Sequence, residues 1–192
     1  MRRLCMLRNT KRSYGWVAIV FHWLSACAIL AMFGLGLYMV DLSYYDPWYR
    51  DALTIHKGVG VIVAAFIILR LVWKLTNESV QDLTSVQRSD QLQHRLAKLA
   101  HLAMYALLFI LFVSGYLIST ADGRGIDVFG IVVLPSIGEL FEQQSDITGV
   151  VHLYIAWALI GLVVIHASAA LYHHWILKDL TLKRMCSPQE EQ

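Results

Sequence analysis

The sequence predicts an all-α integral membrane protein, a bundle of four membrane-spanning helices that forms one domain over residues 1–192. Composition is the first indication: 57% of the residues are hydrophobic and 16% are charged, whereas soluble domains average about 25% charged residues. The second indication is that the apolar residues form four runs long enough to cross the hydrocarbon core of a bilayer. The loops between these runs leave no room for a soluble catalytic domain.

The first predicted span runs from about Trp16 to Val40 and contains His22. It follows a basic segment, residues 1–13, but no cleavage site of small residues separates the two. We therefore expect the run to stay in the protein and not to act as a signal peptide. It ends in a polar loop, residues 41–51, whose Tyr and Trp residues are typical of a membrane interface.

The second and third predicted spans cover about residues 53–75 and 95–119. His56 opens the second span, and Arg70 lies near its end. The polar connection between the spans, residues 76–93, has no strong periodicity, so we expect an exposed loop with room for a short surface helix.

The fourth predicted span covers about residues 150–176 and carries His152 and His166. A long acidic loop, residues 120–148, precedes it. The apolar patch in that loop is too short and too interrupted by Gly and Pro to cross a bilayer. We expect the loop to lie on the membrane surface or to cap the bundle.

The distribution of charge predicts the orientation in the membrane, because Lys and Arg concentrate on the cytoplasmic side. Both loops on the opposite side are acidic, residues 41–51 and 120–148. The N-terminal segment has five cations and no acid, and the loop after the second span has five cations and three acids with its flanks. These cations, with those near the C-terminus, are Arg2, Arg3, Arg8, Lys11, Arg12, Arg70, Lys74, Arg88, Arg95, Lys98, Lys178, Lys183 and Arg184. Both termini are therefore expected in the cytoplasm.

This orientation gives each histidine in the spans a depth and a partner. His152 and His166 are 14 residues apart, so they share a helix face and are separated by about 21 Å along the axis. At matching depths, His22 pairs with His166 near the cytoplasm and His56 pairs with His152 near the outside. A pair from two helices suits an iron with two axial histidines, which predicts two b-type haems between the helices.

Two other interpretations compete with haem ligation. A single histidine in a span can serve only as a hydrogen bond between helices, but ionisable residues inside a membrane are costly and usually functional. Zinc would need three or four ligands converging at one point, and the two pairs are too far apart for that. No CxxCH motif occurs, so a haem would be held by its axial ligands and its pocket alone.

Two residues of the second span are further candidates for haem contact. Gly60 lies four residues after His56, where a glycine would let a flat ring approach the helix; tight helix packing is an equal alternative. Arg70 lies 14 residues after His56, at cytoplasmic depth. It could pair with a haem propionate or extend to the lipid headgroups.

Three more histidines lie near the predicted cytoplasmic side. His173 and His174 follow the apolar part of the fourth span and could form part of a quinone pocket, relay protons to it or simply lie at the interface. His101 could be a spare ligand, a quinone contact or an interfacial residue.

Several stretches together resemble the bacterial cytochrome b561 family. They are FHWLSA around His22, IHKGVG around His56 and, in the last helix, VVH, VIHASAALYHH and LKDLTLKRM. The resemblance covers about residues 14–185 and implies a four-helix protein with two b haems bound by His22, His56, His152 and His166. It also implies electron transfer between a donor and the quinone pool. One family member of similar size is a superoxide oxidase, which passes an electron from external superoxide to ubiquinone.

Three functional hypotheses follow from these features. The first is an oxidoreductase that turns over alone with superoxide or quinol as a substrate, of the superoxide:ubiquinone type. The second is a haem-bearing membrane anchor that transfers electrons within a larger oxidoreductase complex, and the third is a non-redox scaffold. The expected partners are lipid, a quinone, a small one-electron donor, and a second copy of the chain or a redox protein. No nucleic-acid binding is predicted.

Overall fold

Four long helices dominate the computed structural model, which describes residues 7–80 and 88–188. They are α1 (Trp16–Val40), α2 (Tyr49–Thr76), α3 (Arg88–Thr120) and α4 (Gln144–Trp175). A two-stranded sheet, β1 (Ile126–Val128) and β2 (Val132–Leu134), precedes α4, and the short helix α5 (Thr181–Arg184) follows it. All four long helices are long and apolar enough to cross a membrane, which confirms the predicted all-α membrane fold.

The described residues form two compact units. The first unit contains those within Met1–Ala26, Ile67–Met104 and Gly161–Gln192, and the second contains Cys27–Phe66 and Tyr105–Ile160. Each long helix therefore contributes one segment to each unit. Large apolar side chains remain exposed along these segments, including Leu24, Ile68, Phe109, Val164 and Ile165. Such an apolar exterior is stable in lipid, where no water has to be excluded.

Three helices begin earlier than the hydropathy alone predicts. α2 begins at Tyr49, α3 at Arg88 and α4 at Gln144. Asp51 and Asp146 lie in the first turns of α2 and α4, where a carboxylate interacts favourably with the helix dipole. Helix formation thus continues into the polar flanks. The expected loop 76–93 is correspondingly shorter, because residues 88–93 are helical, while residues 81–87 lie outside the described part.

The loop between α3 and α4 has a regular structure that the sequence analysis did not predict. β1 and β2 pair antiparallel, with Val128 opposite Val132. Tyr116 Oη donates a hydrogen bond to the Pro135 carbonyl at 2.6 Å, and Ser136 Oγ donates to the Thr120 carbonyl at 2.7 Å. The β-hairpin and the residues after it are therefore fastened to the end of α3 within the second unit.

Within the first unit, the two ends of the described chain are tied together. Arg184 Nη2 donates to the Arg12 carbonyl at 2.5 Å, and Trp23 Nε1 donates to the Met185 carbonyl at 2.7 Å.

Of the cations used to predict the orientation, Arg2, Arg3 and the side chain of Arg88 lie outside the described residues.

Candidate functional site

The second unit brings the rings of His56 of α2 and His152 of α4 close together. Their ring centroids lie 6.3 Å apart, with an angle of 69° between the ring planes. A metal–nitrogen bond of about 2.0 Å, with the nitrogen about 1.1 Å from its ring centroid, places two imidazoles on opposite faces of one iron about 6.2 Å apart. The observed spacing thus fits an iron held between the two rings.

Small residues surround both rings of this pair. A Cβ on Gly115 would lie 3.1 Å from His152 Cε1, and a Cβ on Gly36 would lie 3.4 Å from His56 Cε1. Ser114 Oγ lies 3.0 Å from His152 Nδ1. His56 Nδ1 is buried and has no hydrogen-bond partner in the described part of the chain. Ser114 and Gly115 were not predicted as site residues, since their only signal is a pair of small residues inside an apolar run.

Glycines after His56 have different neighbours. A Cβ on Gly60 would lie 3.7 Å from Met32 Cε, an ordinary contact with α1. At Gly58, a Cβ would lie 2.7 Å from Cζ of Phe129, which comes from the tip of the β-hairpin. Gly58 therefore accommodates the hairpin, and the haem contact of Gly60 stays a prediction.

The first unit contains the other predicted pair and two additional polar groups. The rings of His22 and His166 have centroids 6.3 Å apart, the same spacing as in the second unit. Arg70 Nη2 lies 3.0 Å from His22 Nδ1. His101 of α3, an exposed residue, lies 5.2 Å from the His166 ring. The structure therefore groups three histidines and one arginine. Among the residues described, no three His, Cys, Asp or Glu side chains are arranged so that they could hold one metal ion.

At the end of α4, the two adjacent histidines have different surroundings. His173 Nδ1 lies 2.5 Å from Asp179 Oδ2, whereas His174 Nδ1 is buried with no hydrogen-bond partner among the described residues. Asp179 Oδ1 also accepts from the backbone N–H of Thr181 at 2.8 Å. Partial burial raises the pKa of Asp179, but hydrogen bonds from His173 and Thr181 outweigh it and hold that pKa below its usual value. Asp179 was not predicted as a site residue from the sequence.

Comparison with known proteins places these features in a family. Residues 13–188 match the family model described as prokaryotic cytochrome b561. The chain is 44% identical to cytochrome b561 homolog 2 of Escherichia coli (strain K12) over 177 residues, which are 92% of this chain and 93% of that protein. It is 27% identical to the probable superoxide oxidase CybB of Yersinia pestis over 175 residues, 91% of this chain and 96% of the relative.

A third relative, cytochrome b561 homolog 1 of Escherichia coli (strain K12), is 30% identical over 133 residues, 68% of this chain and 72% of that protein. The family model and the first relative both cover nearly the whole chain, including all four long helices and both histidine pairs. The chain therefore belongs to the prokaryotic cytochrome b561 family.

Proposed function

We propose that this protein is a di-haem b-type membrane cytochrome that transfers single electrons across the inner membrane between an external donor and ubiquinone. The observation that carries the proposal is the equal spacing of the two histidine pairs. His22–His166 and His56–His152 each have centroids 6.3 Å apart, the spacing that suits one iron between two imidazoles. A family of b-type cytochromes supplies the cofactor class.

Each histidine pair would hold one haem. When bound between two histidines, that haem would supply single-electron transfer without binding oxygen. α1 contributes His22 and α2 contributes His56, while α4 contributes His166 to the first pair and His152 to the second. The orientation predicted from the charges puts both termini in the cytoplasm and the His56–His152 pair near the outside.

Arg70 is the residue that we expect to pair with a haem propionate near His22. A guanidinium can only donate hydrogen bonds, so His22 Nδ1 accepts in the observed 3.0 Å contact. Ligation of iron through Nε2 would leave a proton on Nδ1, which could then no longer accept. Arg70 would have to turn away from His22, and a carboxylate within its reach would be the favourable partner.

The end of α4 supplies the proposed quinone contact through His173 and His174. Asp179 holds the Nδ1 proton of His173 and thereby fixes the orientation of its ring. The opposite nitrogen, Nε2, is left to contact a quinone oxygen or to pass a proton to it. His101 borders the His22–His166 pair and is a second candidate for this contact.

Superoxide is the external donor that we propose, which makes the protein an oxidoreductase of the superoxide:ubiquinone type. The support is the likeness over 175 residues to a probable superoxide oxidase. The alternative is an electron-transferring anchor subunit of a larger complex. One observation favours it: the hairpin exposes apolar side chains, and Ile131 is 83% exposed. A partner subunit could bury such a surface.

A redox difference spectrum with a pyridine-haemochrome count on the purified protein tests the proposal. We expect two b haems for each chain, and one haem in His22→Ala and in His152→Ala. Superoxide should reduce the haems, and added ubiquinone analogue should reoxidise them. Two haems without reduction by superoxide would favour the anchor subunit. A chain without haem would contradict both and favour the scaffold hypothesis.

A further inference from the structure

Ser114 of α3 is a buried polar residue beside a proposed ligand, although α3 provides no histidine to that pair. Its exposed fraction is 3%. Its hydroxyl oxygen lies 3.0 Å from the Leu111 carbonyl oxygen and 3.0 Å from His152 Nδ1. The next residue, Gly115, leaves the space in which the His152 ring sits, because a Cβ there would lie 3.1 Å from Cε1.

The two contacts of Ser114 determine where the proton of His152 resides. A serine hydroxyl has one proton to donate. The Leu111 carbonyl can only accept, and Ser114 donates to it at 3.0 Å. The same carbonyl is also a hydrogen-bond partner of the His152 imidazole. With its proton directed to that carbonyl, Ser114 Oγ acts as an acceptor toward His152 beside Leu111, an arrangement that matches the tautomer with the proton on Nδ1. The lone pair of the imidazole is consequently on Nε2, the atom that has to bind iron.

We propose that Ser114 is a positioning residue for the haem of the His56–His152 pair, and that it sets the tautomer of His152 and the strength of its bond to iron. This inference rests on the proposed function. A hydrogen bond accepted from the distal N–H of a ligating histidine orients the ring and makes it a stronger ligand. Among the described residues, the Nδ1 atom of its counterpart His56 has no such acceptor, so Ser114 would support the iron from the His152 side alone.

The difference between His152, which has the Ser114 hydroxyl beside it, and His56 has a measurable consequence. Loss of an acceptor behind a ligating histidine typically weakens metal binding by about 10- to 100-fold. A more basic imidazole stabilises ferric iron more than ferrous iron, so its weakening raises the midpoint potential. Each tenfold loss of ferric relative to ferrous binding corresponds to about 59 mV for a one-electron couple. Ser114→Ala should therefore raise the potential of this haem.

The test compares Ser114→Ala, Ser114→Thr and the parent in detergent, with haem count, potentiometric titration and low-spin electron paramagnetic resonance as readouts. His22→Ala and His56→Ala, which each lack one proposed ligand, assign the signals to the two haems. Ser114→Ala should retain its His56–His152 haem about 10-fold less well and show a raised potential for it. Ser114→Thr keeps the hydroxyl and should stay near the parent.

Ser25→Ala is the matched control. Ser25 is also fully buried and also donates to a carbonyl of its own helix, that of Phe21. It should leave the His56–His152 haem unchanged.

Three outcomes would overturn the assignment of Ser114: parent-like properties of both haems in Ser114→Ala, an equal loss of both haems, or an equal effect of Ser25→Ala. A parent protein without two haems would instead contradict the proposed function itself.

Discussion

Replacing Gln144 by alanine should destabilise the second unit strongly, because this side chain joins the start of α4 to the end of α3. Gln144 is completely buried. Its Nε2 donates to the carbonyls of Leu117 at 2.9 Å and Gly138 at 3.4 Å, and its Oε1 accepts from the Leu140 N–H at 2.7 Å. The Leu117 carbonyl is one of the last four of α3, which lack a partner within the helix.

The magnitude follows from these bonds. Each contributes a net of about 0.5–1.5 kcal/mol, and each buried group left without a partner costs about 1–3 kcal/mol. The 3.4 Å contact is the weakest of the three, so we expect Gln144→Ala to lose about 2–4 kcal/mol in total. For a chain of this size, each kcal/mol lowers the melting temperature by about 2–4 °C, which gives a decrease of about 4–16 °C.

Thermal unfolding in detergent, followed by helical circular dichroism, measures this decrease. Ser145→Ala is the matched control, since Ser145 is the next residue of the same helix and is exposed. The haem proposed for the His56–His152 pair should be lost at a lower temperature than in the parent, because His152 lies eight residues after Gln144 on α4. A melting temperature for Gln144→Ala equal to that of Ser145→Ala would refute the reasoning.

Three further changes test other parts of the chain. Arg70→Gln should lower the midpoint potential of the haem proposed for the His22–His166 pair and spare the other proposed haem, because it removes a cation beside His22; equal shifts in a redox titration would contradict this. Gly58→Ala should lower the melting temperature, since its Cβ would lie 2.7 Å from Phe129 Cζ, and adding Phe129→Ala should restore it. Asp179 has a lowered pKa, so its stabilising effect is present above the unfolded value of 3.8 and is lost as the pH falls through the folded value. Melting curves of the parent and Asp179→Asn should therefore differ at neutral pH and converge in acid.

The sequence was sufficient to predict the spans, because an apolar run longer than the bilayer is thick admits few other structures. The grouping of the histidines follows from two sequence features. A 14-residue spacing keeps His152 and His166 on one helix face, and the charges of the loops indicate which end of each helix faces the cytoplasm. The structure places His22 near His166 and His56 near His152. Their ligation of iron stays a prediction.

The contacts of Ser114 and Asp179 could not be derived in the same way. Which face of α3 meets His152 depends on the rotation of the helix about its axis, and one residue changes that direction by about 100°. Asp179 approaches His173 only because the chain reverses after α4, with a left-handed backbone at Lys178 (φ 55°). Neither contact belongs to a repeating pattern of residues, so the sequence alone does not predict it.

The hairpin was missed for a different reason. Its turn places Phe129 (φ 55°) and Gly130 (φ 73°) in the left-handed region, as in turns that usually carry Asn-Gly or Asp-Gly. A phenylalanine rarely adopts this conformation. Here its ring packs over Gly58, and the Gly130 N–H donates to Asp127 Oδ1 at 3.0 Å. Tertiary contact thus stabilises a turn that the local sequence disfavours.

The single helix that carries both His152 and His166 also limits how related sequences can diverge. Any apolar residue can replace most of the 13 residues between the two histidines without turning either from its partner. An insertion or deletion of one residue would rotate one histidine by about 100° relative to the other. Length changes should therefore accumulate in the loops, while the number of residues between these histidines stays fixed.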